Sequence, residues 1–511
     1  MLSFVVNLFI LLESYISTLM SIVLRILGSL SLRLEGIATK EDLCMNTELN
    51  RNSSEPTRTI NYDHEEIGLS NRATQLLTRI ESVPFSRWHI KPRVIMGSAT
   101  FFDAFDALSL AFVLPVLIGL WNLTPGQIGI LIGSGYLGQA IGAIFFGWLA
   151  ERFGRVYSAK WTIFLMSVMS IACAFAGNFH ALLWLRFVQG IGVGGEVPVA
   201  AAYINELSVA QGRGRFFMLY EMIFPLGLMI SAQIGALIVP SFGWKWMFLI
   251  GGIGGLIVFL FFFKLRESPR WLISKGRFDE AERVIEEIES STDKRIEAKI
   301  SAPQAVVKGN WKELFSPFYR SRTLIVWTLW FSSYFVANGL NNWLPSLYKT
   351  VYNLPLEESL HAASLTNVIQ TVAVFACALL IDRVGRKRWA TIAFLVVGLL
   401  LTTLWFNGAK SAESVMYLGS AAYGVMGTIT VLLYLYTPEI YPTRMRVLGI
   451  AFATAWLRLA SAIAPTILGF VLGAKGITSV FVLFACVAAV GAFMAFKMIE
   501  TREKVLEDIA P

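Results

Sequence analysis

Twelve apolar runs of about 20 residues each follow one another between residues 94 and 498, separated by short polar breaks and one long one at 264–321. A run of that length with few charges is long enough to cross the ~30 Å apolar core of a bilayer as a helix. In lipid the backbone must satisfy its own hydrogen bonds, so such runs are expected to be helices. We place the spans at 94–120, 127–150, 158–177, 181–206, 216–239, 246–263, 322–347, 359–381, 389–406, 415–437, 447–472 and 478–498. Composition agrees. The 511 residues are 55% hydrophobic and only 15% charged, with a mean hydropathy of +0.61, where a soluble chain carries about 25% charged residues. The expected fold class is an all-α membrane protein with twelve transmembrane helices in two six-helix, pseudo-symmetric bundles.

Orientation follows from the short loops. Those at 151–160, 207–215, 382–388 and 439–446 hold eleven Lys or Arg, and the loops at the other ends of the spans hold four. The positive-inside rule then puts the first set, and both ends of the twelve-helix unit, in the cytoplasm of a cell whose plasma membrane holds the chain. The net charge of +8 is read as this topology signal and not as a nucleic-acid surface. The halves echo each other: "ERFGR" at 151–155 returns as "DRVGR" at 382–386, and Arg213 and Arg215 return as Arg444 and Arg446, all at an offset of 231. One six-helix unit, duplicated in parallel, points to two bundles rocking about a central site. The expected organisation is an N-terminal extension (1–92), a first bundle (93–263), a cytoplasmic central loop with short helices (264–321), a second bundle (322–500) and a tail (501–511). Within the extension, 31–92 reads as a flexible, partly helical tail. The apolar stretch 1–30 reads equally as an extra span, an interfacial helix or a signal-like segment, and Met45 is an alternative start.

The four cysteines are scattered and the four histidines isolated, so neither a metal site nor a nucleophile–base pair is indicated, and no enzyme activity or cofactor is expected. The chemistry that stands out is charge inside apolar runs, which is costly and usually functional. "FFDAFDALSLAFVLP" (101–115) carries Asp103 and Asp106. Asp106 lies thirteen residues past Arg93, roughly 20 Å along a helix and beyond the membrane centre, with Asp103 one turn below it on about the same face. Two such carboxylates cannot both ionise cheaply, so one is suited to carrying a proton; Asp106 is the first choice. Glu196 and Glu221, in the fourth and fifth spans, join the proton-coupling set. The alternative is a structural acid satisfied by a neighbouring hydroxyl or arginine. Arg186, which opens the fourth span, and Arg458, about 18 Å into the eleventh, are candidate substrate contacts. An arginine keeps its charge, so Arg458 needs an anion, either an acid of the protein or the carboxylate of a substrate. Tyr136, Gln139, Asn338, Asn342, Trp343 and Gln370 are candidates to complete a pocket, because buried amides want partners.

"GWLAERFGR" (147–155) and "LLIDRVGRK" (379–387) each set a small residue, an acid and two arginines about a glycine turn. Gly147, Glu151, Arg152, Gly154 and Arg155, with Asp382, Arg383, Gly385 and Arg386, form candidate cytoplasmic gates, joined by Glu206, Arg215, Glu439 and Arg446 at neighbouring span ends. One copy would be explained by topology alone; two copies at matching places favour a gate.

The paired loops resemble the signature of the major facilitator superfamily. "RFVQGIGVGGE" (186–196), "ESPRWLISKGRFDEAERV" (267–284) and "YTPEIYPTRMRVLG" (436–449) resemble motifs of its fourth span and its sugar-porter-like branch. "FSRWHI" (85–90), "FFDAFD", "GGEVPVAA" (194–201), "NWLP" (342–345) and "WLRLASAIAP" (456–465) are similar to niacin-transporter-like and synaptic-vesicle-transporter-like carriers. The seventh span departs from that pattern with three asparagines, Asn338, Asn341 and Asn342. The resemblance implies a secondary active transporter working by alternating access, with an anionic substrate at Arg458. The leading expectation is proton-coupled movement of a monocarboxylate such as nicotinate or another aromatic acid. A proton-coupled sugar or polyol carrier and a non-transporting membrane sensor of the same fold are the alternatives. The expected partners are a small solute, protons and the lipid bilayer, with one chain sufficient for function.

Overall fold

In a computed structural model, the described residues are 64–83, 86–207, 222–292 and 311–502. Twelve helices among them are long and apolar enough to span a membrane. In order, spans 1 to 12 are Arg87–Trp121, Pro125–Phe153, Arg155–Ala174, Phe179–Glu206, Ile223–Phe242, Lys245–Phe262, Arg320–Thr350, Leu356–Val384, Arg386–Phe406, Ala412–Glu439, Leu448–Lys475 and Ile477–Phe496. No strand occurs among the described residues. Local chemistry fixes the ends. Span 1 stops at Asn122 in the left-handed region, φ 50°. Span 2 opens with Pro125 behind a reciprocal cap between Thr124 and Gln127, and Asn178 and Ser411 cap spans 4 and 10.

The packing repeats with the sequence. Spans 1–5, 1–6, 2–4, 3–4 and 3–6 pair in the first half; adding six to each number gives the pairs 7–11, 7–12, 8–10, 9–10 and 9–12 of the second. Between the halves, span 2 meets span 11 and span 5 meets span 8, two contacts that the same relation exchanges. The two pseudo-symmetric six-helix bundles are therefore real.

Glycine sets the closeness of the central pairs. A Cβ on Gly138 would sit 2.1 Å from the Phe187 carbonyl oxygen, one on Gly142 1.9 Å from that of Ile191, and one on Gly194 2.0 Å from that of Gln139. Spans 2 and 4 thus touch backbone to backbone, as small-residue interfaces in membranes do. Across the halves, Gly129 meets Pro465 and Gly469 meets Pro125. These contacts lie at the end of spans 2 and 11 away from the arginine-rich loops and bring the two halves together there.

Preceding span 1, His64–Ser82 is one helix. The helical part of the expected tail is seen here, and 31–63 lies outside the described residues. Leu76 and Ile80, with Val83 just beyond, bury against Trp271, Val284, Ile285 and Ile288 of the short linker helices Pro269–Ser274 and Phe278–Glu289. Arg72 pairs with Asp279 and Glu282, and Arg79 with Glu282 and Glu289. Such partly exposed pairs are screened by solvent and contribute little, so the apolar face does most of the holding. The readings of 1–30, Met45, Glu221, Arg213 and Arg215 lie outside the described residues.

The glycine contacts make a direct prediction. Gly142→Ala should destabilise the chain by about 3 kcal/mol, seen as a lower unfolding midpoint in detergent. Gly119→Ala, where nothing lies within 4 Å of the added methyl, should leave the midpoint unchanged or slightly raised.

Candidate functional site

The arginine-rich end holds two matching charge clusters. Gly154 (φ 117°) and Gly385 (φ 92°) turn the chain between spans 2 and 3 and between spans 8 and 9 in a region that disfavours side chains. Arg155 reaches Glu151 at 2.8 Å and Glu206 at 3.0 Å. Arg386 reaches Asp382 at 2.9 Å and Glu439 at 3.2 Å. Each cluster is closed within its own half. Two residues of the expected gates fall outside them: Arg152 lies over the rings of Trp148 and Phe153, and Arg383 is exposed, its carbonyl accepting from Arg502. Arg446 donates to the Pro438 carbonyl and so ties off the end of span 10. Gly147 touches nothing within 4 Å of a would-be Cβ.

At mid-depth the two acids of span 1 part company. Asp106, wholly buried, accepts from Ser170 of span 3 at 2.8 Å and lies in the field of Arg186. Arg186 donates to Gln189 at 2.7 Å and to the Asp106 carbonyl at 3.3 Å. Sealed in a network of spans 1, 3 and 4, Asp106 and Arg186 brace the first bundle. Asp103 is also buried, but its Oδ1 has no hydrogen-bond partner in the protein. Its charged neighbours are Glu196, Asp106 and Arg458. Glu196, 1% exposed, accepts from Thr100 at 3.0 Å.

Arg458 approaches from the other half. Its Nη2 donates to the Gly194 carbonyl at 3.1 Å, its Nη1 to the Thr454 carbonyl at 3.5 Å, and its Nε finds no partner. Among the described residues no carboxylate lies within ion-pair distance of it. Tyr434 and Tyr334 lie beside it. Tyr334 stacks on Trp330 at 5.7 Å, Tyr434 meets Trp330 edge-on at 4.7 Å, and Trp456 lies 5.5 Å from Trp327. Asn338 donates to Ser461 at 2.5 Å, and Asn342 crosses the halves to Tyr136 at 3.2 Å. Of the other expected pocket residues, Gln370 packs against Gly427 with its Oε1 unpartnered, Trp343 is buried with its Nε1 unpartnered, and the Gln139 backbone carbonyl lies against Gly194.

Comparison with known proteins fixes the family. Residues 96–511 match the model described as "Sugar (and other) transporter". The chain belongs to this major facilitator family. Within it, the niacin transporter NiaP of Acinetobacter baylyi is 34% identical over 85% of this chain and 99% of its own. The 4-hydroxybenzoate transporter PcaK of the same organism is 26% identical over 81% and 93%. The xylose transporter XylE from E. coli, in a partially occluded inward-open form, superposes with a TM-score of 0.65 at 19% identity, covering 82% of this chain and all of that one. This is a multi-pass membrane transporter and not an enzyme.

Two glutamates that cap spans escaped the sequence reading. Glu267 accepts from the backbone N–H groups of Arg155 and Val156 at the start of span 3. Glu500 does the same for Arg386 and Lys387 at the start of span 9. Each sits where a Cβ on Gly154 or Gly385 would stand. Burial pushes the Glu267 carboxyl above its usual range, against the opposite pull of its N–H donors. The signal was legible as K-x-x-E-[ST], at 264–268 and again at 497–501 with an offset of 233. Glu267→Ala or Glu500→Ala should each cost about 1–2 kcal/mol of stability. Hydrogen exchange should accelerate at the first amides of span 3 in one variant and of span 9 in the other.

Proposed function

We propose that this protein moves a small aromatic monocarboxylate, nicotinate or a close relative, by proton-coupled alternating access. The observation that carries the reading is Arg458: a permanent charge within span 11 whose partners among the described residues are neutral carbonyls. A planar carboxylate offers it two charge-assisted hydrogen bonds, and the rings of Tyr334, Tyr434 and Trp456 supply flat apolar walls. The names of the relatives, a niacin transporter and a 4-hydroxybenzoate transporter, support the same class of cargo.

For the proton, the geometry favours Asp103 with Glu196 over Asp106. Two buried acids facing one arginine leave an uncompensated negative charge when both are ionised, and one proton removes it. Asp106 already has Ser170 and Arg186. With the arginine-rich end in the cytoplasm, the cycle runs as follows. Proton and substrate enter from the side where the glycine contacts of spans 2 and 11 bring the halves together. The halves rock, the Arg155 and Arg386 clusters move apart, and both cargoes leave inward. No cofactor is required; the gradient supplies the energy. The two halves lie in one chain, so a monomer carries a whole site.

The family description favours a second reading, a sugar or polyol carrier, for which Arg458 has no need. Labelled nicotinate and labelled sugars taken up into proteoliposomes, with and without an inward proton gradient, separate the two. We expect gradient-stimulated nicotinate uptake, cut about 10–100-fold in kcat/KM by Arg458→Ala. Asp103→Asn should abolish the stimulation while leaving counterflow exchange of nicotinate. Gradient-stimulated sugar uptake with no response to nicotinate or other monocarboxylates sinks the proposal.

A further inference from the structure

Hydrogen-bond direction in the centre of the molecule decides what span 7 can offer a ligand. The Ser461 hydroxyl donates to the Leu457 carbonyl at 2.8 Å, one turn back on its own helix. Its single proton is spent there, so Ser461 can only accept from Asn338. The Asn338 carboxamide is thereby held with its nitrogen against span 11. Its oxygen, at the other corner of a planar group, is turned away. That oxygen takes no hydrogen bond among the described residues and is not enclosed by them. One turn on, the two N–H protons of Asn342 go to the Asn338 carbonyl at 2.8 Å and to the Tyr136 hydroxyl at 3.2 Å. Asn342 too has only its oxygen left. Two successive side chains of span 7 therefore present acceptors.

Their position gives these acceptors a target. Tyr334, Asn338 and Asn342 are spaced i, i+4, i+8 and share one face of span 7. Both ends of that face look to the first half. Tyr334 lies beside Arg458, which reaches Gly194, and Asn342 reaches Tyr136. Asn338 lies between them, half-buried, one turn or about 6 Å along the helix from Tyr334. A carboxylate on Arg458, with its ring against Tyr334, brings the far edge of a single ring to the level of Asn338. We propose that the Asn338 carboxamide oxygen reads a hydrogen-bond donor there, so that the preferred cargo is an aromatic monocarboxylate with a hydroxyl or amino group opposite its carboxylate. A group that can only accept, such as a methoxy oxygen, meets the amide oxygen with no proton between them. Ser461 acts through Asn338 as a positioning residue. The inference rests on the reading of Arg458 as the carboxylate's partner and adds the chemistry read at the other end of the ring.

The test is counterflow by the full chain in proteoliposomes, so that the result does not depend on proton coupling. The labelled solutes are 4-hydroxybenzoate, 4-aminobenzoate, 4-methoxybenzoate and nicotinate. We expect kcat/KM for the hydroxy and amino acids to exceed that for the methoxy acid about tenfold, chiefly through KM. Asn338→Leu should bring that ratio down to about one. Ser461→Ala, which frees the amide to turn, should lower the ratio about threefold, and Ser461→Thr, which keeps the hydroxyl, should restore it. The serine variants carry the test should Asn338→Leu not fold. A ratio near one in the unaltered chain, or one undiminished in Asn338→Leu or Ser461→Ala, overturns the inference and leaves the reading of Arg458 standing. A higher kcat/KM for nicotinate, whose ring nitrogen only accepts, than for the hydroxy acid also overturns it and transfers the reading to the remaining proton of Tyr136. No counterflow of any of the four overturns both readings together.

Discussion

The structure turns on the cost of a charge in low dielectric. An ion taken out of water needs a partner of opposite sign, a set of dipoles, or a proton. Asp106 has a serine hydroxyl and the field of Arg186. Arg458 has two carbonyls. Asp103 has a bare Oδ1 and the neighbouring Glu196. The first is settled by its own bundle and holds spans together. On the proposed function the other two, which lie in each other's field, are settled further when the cargo, an anion and a proton, arrives.

Duplication explains the ends of the molecule but not its middle. The glycine turn, the arginine with two acids and the glutamate cap occur once in each half at matched positions. The centre is asymmetric. The first half supplies the acids Asp103 and Glu196. The second supplies Arg458, the amides of span 7 and the aromatic group around Trp330. Matched ends allow both halves to move by the same hinge chemistry, and complementary centres give them something to close upon. A symmetric centre, with acids or arginines on both sides, would repel itself on closure.

What was legible in the sequence follows from the range of each interaction. Apart from the starts of spans 1 and 5, the sequence places the span ends to within a few residues, because length and hydropathy are local. The paired charge clusters are legible as a repeat. Partnering is harder: Asp103 and Asp106, three residues apart, read as sharing one face and one role. Three residues turn a helix by about 300°, and the difference sends one carboxylate toward Ser170 and the other toward Glu196 and Arg458. The docking of His64–Ser82 was likewise hidden, since its apolar face becomes meaningful only beside the linker helices far along the chain. The glutamate caps were the one avoidable omission, written twice in the sequence at a slightly different offset from the gates.

Span 4 is where these threads meet. Its glycines lock it against span 2: the bare Cα of Gly194 lies against the Gln139 carbonyl, while its own carbonyl accepts from Arg458. Glu196 is two residues further on. The bond from Arg458 to that carbonyl crosses between the halves, so rocking must strain or break it. A carbonyl is a neutral acceptor, and a carboxylate, which adds full charge–charge attraction and a bidentate fit, outcompetes it for a guanidinium. On the proposed function, a substrate that takes Arg458 from Gly194 therefore releases a contact between the halves as it binds. A ligand shifts a conformational equilibrium only by its difference in affinity for the two states, and this exchange of partners provides such a difference. A neutral sugar, unable to displace the carbonyl by charge, would leave the contact in place.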